Sequence, residues 1–157
     1  MPLSYTVDIT NGSGPTAITN AATVLAQLTC SAGKPVRLKR IELQSNQTGS
    51  TQAIIPVSLG TYTTATSTGG VTPTPKAVDR GNTVAAATAA RCLTATLGTT
   101  FAQLDEWQWN GANPFDMVFG LSETQYEFAV SSIIALIVPS ASGTPSLTGK
   151  ITFEEFG

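Results

Sequence analysis

The sequence predicts an all-β protein, an antiparallel β-sandwich of jelly-roll type with about eight strands, and three observations carry that reading. Short runs alternate apolar with polar residues, Leu3-Ser4-Tyr5-Thr6-Val7-Asp8-Ile9 most cleanly, which is the mark of a strand with one buried face. Clusters of Gly, Pro and Asn separate those runs and turn the chain. No stretch shows the apolar stripe of an amphipathic helix. At 157 residues and 41% hydrophobic content the chain encloses one core, so a single domain spanning 1–157 is expected.

Taken in order, the strand at 3–9 buries Leu3, Tyr5, Val7 and Ile9, and Asn11-Gly12-Ser13-Gly14-Pro15 then turns the chain. A second strand is expected over 22–30, with Val24 and Leu28 on one face and Thr23, Leu25, Gln27 and Thr29 on the other. Within 36–44, Val36 and Leu38 share one register and Ile41 and Leu43 the other. A change of parity between Lys39 and Arg40 signals a β-bulge or a strand crossing between sheets, so a kink is expected there. A polar loop at 45–50 precedes a strand at 51–59, in which Pro56 points to an edge or a bulge because proline donates nothing to a ladder.

The stretch 62–75 is rich in Thr, Ser, Gly and Pro. It is expected to be the longest loop, exposed, partly extended and able to grip a neighbour. Asp79-Arg80-Gly81-Asn82 is a turn. For 83–97 the alanines favour a helix by propensity, whereas Thr83, Thr88, Thr94 and Thr96 and the missing stripe oppose it, so a strand is expected. Farther on, Leu104, Glu106 and Gln108 alternate with Asp105, Trp107 and Trp109, which puts both tryptophans on one side. A turn at 110–114 leads to the alternating Phe115, Met117 and Phe119.

The densest apolar run, 126–138, reads as the central strand pair of the sandwich, interrupted at Ser131-Ser132 and closed by Pro139. Its β-branched residues pack better on a pleat than on a helix, and burying Ile133, Ile134, Leu136, Ile137 and Val138 contributes roughly 1.5 to 3 kcal/mol each. A loop at 140–146 leads to a last strand at 147–156, with Leu147, Gly149, Ile151, Phe153 and Glu155 on one face.

Composition narrows function. Charged residues are only 11%, with a net charge of -2, so there is no basic field for nucleic acid. Lys34, Arg37, Lys39 and Arg40 fall within seven residues, but a regular strand divides their side chains between two faces, and a solvated or subunit-facing edge is the expected role. No apolar run is long enough for a membrane helix, and Met1-Pro2-Leu3-Ser4 lacks the features of a secretory leader. Cys30 and Cys92 are expected to be buried free thiols. The glycosylation patterns at Asn11-Gly12-Ser13 and Asn46-Gln47-Thr48 arise by chance in a chain so rich in Ser and Thr.

Histidine is absent, which removes His-based catalytic arrangements and most zinc sites. Asp105, Glu106, Asp116, Glu123 and Glu127 lie near Trp107 and Trp109 in sequence, but a glycosidase pair needs a cleft that nothing in the sequence indicates. Packing in the core or under a subunit neighbour is the expected role of the tryptophans, ahead of stacking on sugar. Asp79, Asn82, Glu154 and Glu155 lack the spacing of a calcium loop. Neither metal nor cofactor is expected.

The succession Arg40-Ile41-Glu42-Leu43, Gly49-Ser50, Ile55-Pro56-Val57-Ser58-Leu59, Val71-Thr72-Pro73, Glu106-Trp107 and Ile151-Thr152-Phe153-Glu154-Glu155 resembles the small jelly-roll cement, or decoration, proteins of tailed bacteriophage heads. The resemblance implies a non-enzymatic virion protein, made in the host cytoplasm, that binds the major capsid protein on the outside of the shell, commonly as a trimer. The Ala-rich 83–90 and the poorly charged central strand depart from that family's usual look. The alternative is a carbohydrate- or receptor-binding sandwich of a phage tail or fibre. A chain with so few charges has little means of protecting its sheet edges, so self-association is expected. Candidate subunit or capsid contacts are Arg37, Lys39, Arg40, Tyr62, Trp107 and Trp109, with the strand at 37–43 and the loop at 62–75 contributing, and Glu154 or Glu155 offering a carboxylate to a basic partner.

Overall fold

Every described element is a strand, as the alternation requires. A computed structural model describes residues 2–10, 16–17, 22–46, 54–66, 68–79, 81, 83–120, 126–140 and 145–157. In chain order the strands are β1 (Leu3–Ile9), β2 (Thr16–Ala17), β3 (Thr23–Thr29), β4 (Val36–Ser45), β5 (Ile54–Thr64), β6 (Lys76–Ala77), β7 (Ala89–Thr94), β8 (Thr99–Asn110), β9 (Phe115–Val118), β10 (Glu127–Phe128), β11 (Ile133–Val138) and β12 (Ser146–Glu155).

A front sheet runs β6-β1-β12-β4, with β9 and β10 along the far side of β4 and β2 beside the start of β12. A back sheet runs β7-β3-β11-β5-β8, and every pairing is antiparallel. The chain changes sheet at eight of the eleven connections between these strands. Facing each other, β1-β12-β4-β9 and β3-β11-β5-β8 are the two four-stranded sheets of a jelly roll. To these β6 and β7 add one edge strand each.

The core follows from period-two alternation. Tyr5, Val7 and Ile9 of β1, Ile151 and Phe153 of β12, and Leu38, Ile41 and Leu43 of β4 meet Leu28, Ile55, Val57, Leu59, Ile134, Leu136 and Val138 of the back sheet. Tyr5 and Phe153 pack with ring centroids 5.8 Å apart, across the pair Tyr5↔Phe153 in the ladder. Gly149 belongs to the same inward row of β12. A Cβ there would lie 2.3 Å from the Glu42 carbonyl oxygen, so the strands approach each other only because the side chain is missing.

The parity change in β4 is a bulge. Arg40 lies opposite Thr152 and Leu38 opposite Phe153, which leaves Lys39 as the extra residue, and its carbonyl accepts the Phe119 N–H at 2.9 Å. The strand stays in the front sheet throughout. A second bulge, between Leu136 and Ile137 on the β11 side, makes Leu25 the extra residue of β3. Leu25 therefore joins Leu28 in the core while Val24 faces outward with Tyr62, Ala135 and Ile137, whereas the expected division put Val24 with Leu28 and Leu25 on the other face.

Several expectations need correction. The run 126–138 is not a strand pair: β10 lies beside Val36 and Arg37 in the front sheet, while β11 is the middle strand of the back sheet. Ser131, at φ 61°, reverses the chain between them. Pro56 sits in an interior strand rather than at an edge, opposite Gln108 of β8 and short of the residues Ser58 to Tyr62 where β11 pairs with β5. The stretch 62–75 is not a free arm. Its first residues complete β5, Thr66 N–H donates to Gln27 Oε1 at 2.9 Å, and Val71 exchanges two backbone bonds with Cys92. Of 83–97, the segment 83–88 is irregular and only Ala89–Thr94 is strand. The expected turns at 11–15 and 47–50, and Glu123, lie outside the described residues.

Candidate functional site

Because the two inner faces are both apolar core, anything the fold does to a partner belongs to its outer faces. The front strands carry eleven charged residues: Asp8, Arg37, Lys39, Arg40, Glu42, Lys76, Asp116, Glu127, Lys150, Glu154 and Glu155. The back strands carry three, Arg91, Asp105 and Glu106.

The bulge at Lys39 decides how the basic cluster is displayed. On an unbroken strand Lys39 and Arg40 would point to opposite faces; the extra residue lets Arg37, Lys39 and Arg40 all reach the outer side, where each finds a carboxylate of the same chain. Arg37 bonds Glu127 and lies 3.9 Å from Glu154, with its guanidinium 4.5 Å over the Phe156 ring. Lys39 lies 3.5 Å from Glu154. Arg40 grips Asp116 through two bonds of 2.8 and 2.6 Å and lies 3.3 Å from Glu42. That clamp holds the Asp116 carboxyl below its ordinary range and Arg40 above its own.

A groove of 760 Å³ crosses this face. It runs from Lys76, Ala77 and Val78 at the β6 edge, over Thr6 of β1 and Lys150 and Thr152 of β12, to Lys39, Arg40 and Glu42 of β4 and to Val118 at the end of β9 with Phe119 and Gly120 after it. Val78 and Val118 are 53% and 64% exposed. Lys150 forms no ion pair within 4 Å among the described residues.

The back sheet presents the opposite surface. Ile54, Leu97 and Leu104 are about half exposed, around a small outer cluster of Val24, Tyr62, Ala135 and Ile137 with Phe101 and Ile133 packed on it. Tyr62 is 5% exposed, its ring 5.3 Å from Phe101, and burial raises the pKa of its phenol. Its side chain is thus taken up within the chain rather than offered from a loop.

The tryptophans face inward on one side, as the alternation requires. Trp109 is 4% exposed and donates Nε1–H to the Asn113 carbonyl at 2.6 Å; Trp107 packs between Phe115 and Phe119, at 5.7 and 6.5 Å. Neither forms an open platform for a sugar. The nearby acids are occupied as well. Asp105 accepts from Tyr126 O–H at 2.8 Å and from the Glu106 N–H, and Glu106 accepts from Ser58 and Gln108.

Glu155 is where charge alone misleads. It points inward from β12, 2% exposed, and accepts the Thr88 and Ala87 N–H groups at 2.6 and 3.1 Å. A buried carboxylate with two backbone donors holds the irregular segment 83–88 against the sandwich, and cannot serve a partner's cation. The expected alternation already placed it on the inner face. Cys30 and Cys92 are free and buried, and burial pushes their thiols up to about 11 and about 12. Among the described residues no group of three or more His, Cys, Asp or Glu could hold a metal, and no helix is long and apolar enough to cross a membrane. Comparison with family models, curated protein sequences and solved structures finds no match to this chain.

Proposed function

We propose that this chain is a non-enzymatic cement protein, binding the major capsid protein on the outside of a phage shell and associating with copies of itself as a trimer. The reading starts from the short sequence words between Arg40 and Glu155 and is supported by the jelly-roll strand order. The observation that carries it further is the asymmetry of the outer faces. A back face with three charged residues in its five strands, and with Ile54, Leu97 and Leu104 half exposed, is a surface that water covers poorly and another protein covers well.

The basic strand plays a smaller part than its charge suggests, because Arg37, Lys39 and Arg40 are balanced within the chain. The contact with the shell and between copies is assigned to the back face, and its strength should be nearly independent of salt, unlike a contact built on exposed ion pairs. Mass spectrometry of purified particles tests the assignment. Copy number near that of the major capsid protein is the expected result; a few copies per particle located at the tail, or tryptophan fluorescence quenched by a glycan, would replace it with the receptor-binding alternative. Light scattering of the isolated chain should give a trimer, and a monomeric mass at every concentration, with no binding to empty shells, would remove the physical basis of the proposal.

A further inference from the structure

Both tryptophans, three phenylalanines and one tyrosine form an unbroken file beside β8 and β9. Between ring centroids, Trp109 lies 6.0 Å from Phe115, Phe115 5.7 Å from Trp107, Trp107 6.5 Å from Phe119, Phe119 5.3 Å from Tyr126 and Tyr126 6.4 Å from Phe128. Every step falls within the range at which aromatic rings touch. The file begins in the interior, where Trp109 is 4% exposed, and reaches the half-buried Tyr126. There the phenol donates to Asp105 Oδ2 at 2.8 Å, so a carboxylate stands ready to take its proton.

The other electron-rich side chains lack that combination. Tyr5 donates to the Val84 carbonyl and sits on β1, with β12 and β4 between it and β9. Tyr62 is on the outer face of the back sheet, opposite Phe101 of β8 and about 20 Å along the strand from Trp107. Cys30 beyond β3 and Cys92 on β7 are three and four strand steps from β8, or about 14 and 19 Å. A phenol whose proton passes to a base as its electron leaves is a better donor than an indole, and electron transfer between side chains falls off steeply with distance. Tyr126 is the donor in place.

We infer that the file is a radical relay, in which a tryptophan oxidised by a one-electron radical oxidant from solution takes its electron from Tyr126. Trp109, whose N–H stays on the Asn113 carbonyl, is restored over Phe115 by an electron from Trp107, which sheds its indole proton to water. Trp107 in turn takes an electron from Tyr126 over Phe119 and regains a proton from water, while the phenol proton passes to Asp105. One tryptophanyl radical and one phenol become one indole and one tyrosyl radical. The relay carries oxidising equivalents out of the sandwich interior, and it holds whether or not the chain binds a shell.

Pulse radiolysis of the isolated chain with the azide radical, which oxidises indole ahead of phenol near neutral pH, tests it. Tryptophanyl absorption should form first and give way to tyrosyl absorption in one phase whose rate does not depend on protein concentration. Tyr126→Phe should abolish that phase, whereas Tyr5→Phe and Tyr62→Phe should leave it unchanged. Asp105→Asn keeps a hydrogen-bond acceptor but removes the base, and should slow it. Each variant retains the ring or the shape of the side chain, and a native circular dichroism spectrum confirms its fold. No tyrosyl absorption in the unmodified chain, persistence of the phase in Tyr126→Phe, its loss in a folded Tyr5→Phe or Tyr62→Phe protein, an unchanged rate in Asp105→Asn, or a rate that rises with protein concentration would each overturn the inference.

Discussion

The front and back sheets are built from the same alternation and share one core, yet their outer faces follow opposite rules. On the front, charges come in mutually satisfied sets such as Arg40 with Asp116 and Glu42, and Lys76 with Asp8 at 2.9 Å. On the back, an exposed Ile or Leu lies where a charge would normally protect the surface, and Tyr62, Phe101 and Ile137 form a second small apolar cluster outside the core. The difference lies outside the core that the two sheets share. It is therefore one of surface chemistry: the front face carries its charges in balanced sets, and the back face leaves apolar side chains open to solvent.

The comparison is broken most severely at the shared core. Phe153→Ala on the front and Leu136→Ala on the back remove fully buried side chains, and each should cost about 2 to 5 kcal/mol in a urea titration. If either costs under about 1 kcal/mol, the two sheets do not share one core.

Next in size is the one front-sheet charge that points inward. Glu155→Gln replaces a carboxylate that accepts two backbone N–H groups by an amide with one acceptor oxygen, and should destabilise by about 1 to 3 kcal/mol. Hydrogen exchange should quicken first at Ala87 and Thr88; unchanged protection there would show that Glu155 does not hold the segment.

Base should loosen the back sheet, and acid should change the front sheet little. Asp116 is held below its ordinary range by Arg40, so its contribution is present above the normal carboxylate pKa and is lost as pH falls through the lowered value. Cys92 on β7 and Cys30 beyond β3 are raised by burial; their contribution is present below the ordinary thiol value of about 8.5 and is lost as pH rises toward about 11 and about 12. Melting temperature followed from neutral to alkaline pH should fall as the back sheet's thiols ionise, and a flat profile in a Cys30→Ala, Cys92→Ala protein would confirm the source. The smallest effect is expected for Arg40→Ala. Its pair with Asp116 is exposed, solvent screens it, and the melting temperature should stay within error.

Much of the fold was legible because alternation is local. The rows Tyr5-Val7-Ile9 and Leu147-Gly149-Ile151-Phe153-Glu155 are read directly from spacing, and so is the break at Lys39. What spacing lacks is pairing. Nothing within 126–138 says that Phe128 joins one sheet and Ile134 the other, since those partners, Val36 and Leu28, lie about a hundred residues away. The second bulge, at Leu25, was hidden because Thr23 to Leu28 are all buried and the alternation that would reveal it is lost. The groove was illegible for the same reason as the pairing: its five strands are scattered from Thr6 to Thr152.

The bulge in β4 also has a bearing on how this chain can change length. β12 runs opposite it without a break and serves as a ruler: strike out Lys39, and Val36, Arg37, Leu38, Arg40, Ile41, Glu42 and Leu43 match Glu155, Glu154, Phe153, Thr152, Ile151, Lys150 and Gly149 one for one. Deleting that single codon would thus leave every core side chain on its own face, giving up one ammonium and the carbonyl that receives Phe119. Elsewhere in the strand a deletion would turn a row of side chains inside out. Position 39 is a place where an insertion can be gained or lost without a change of register, and a cation can be added to the outer face with no side chain moved in the core.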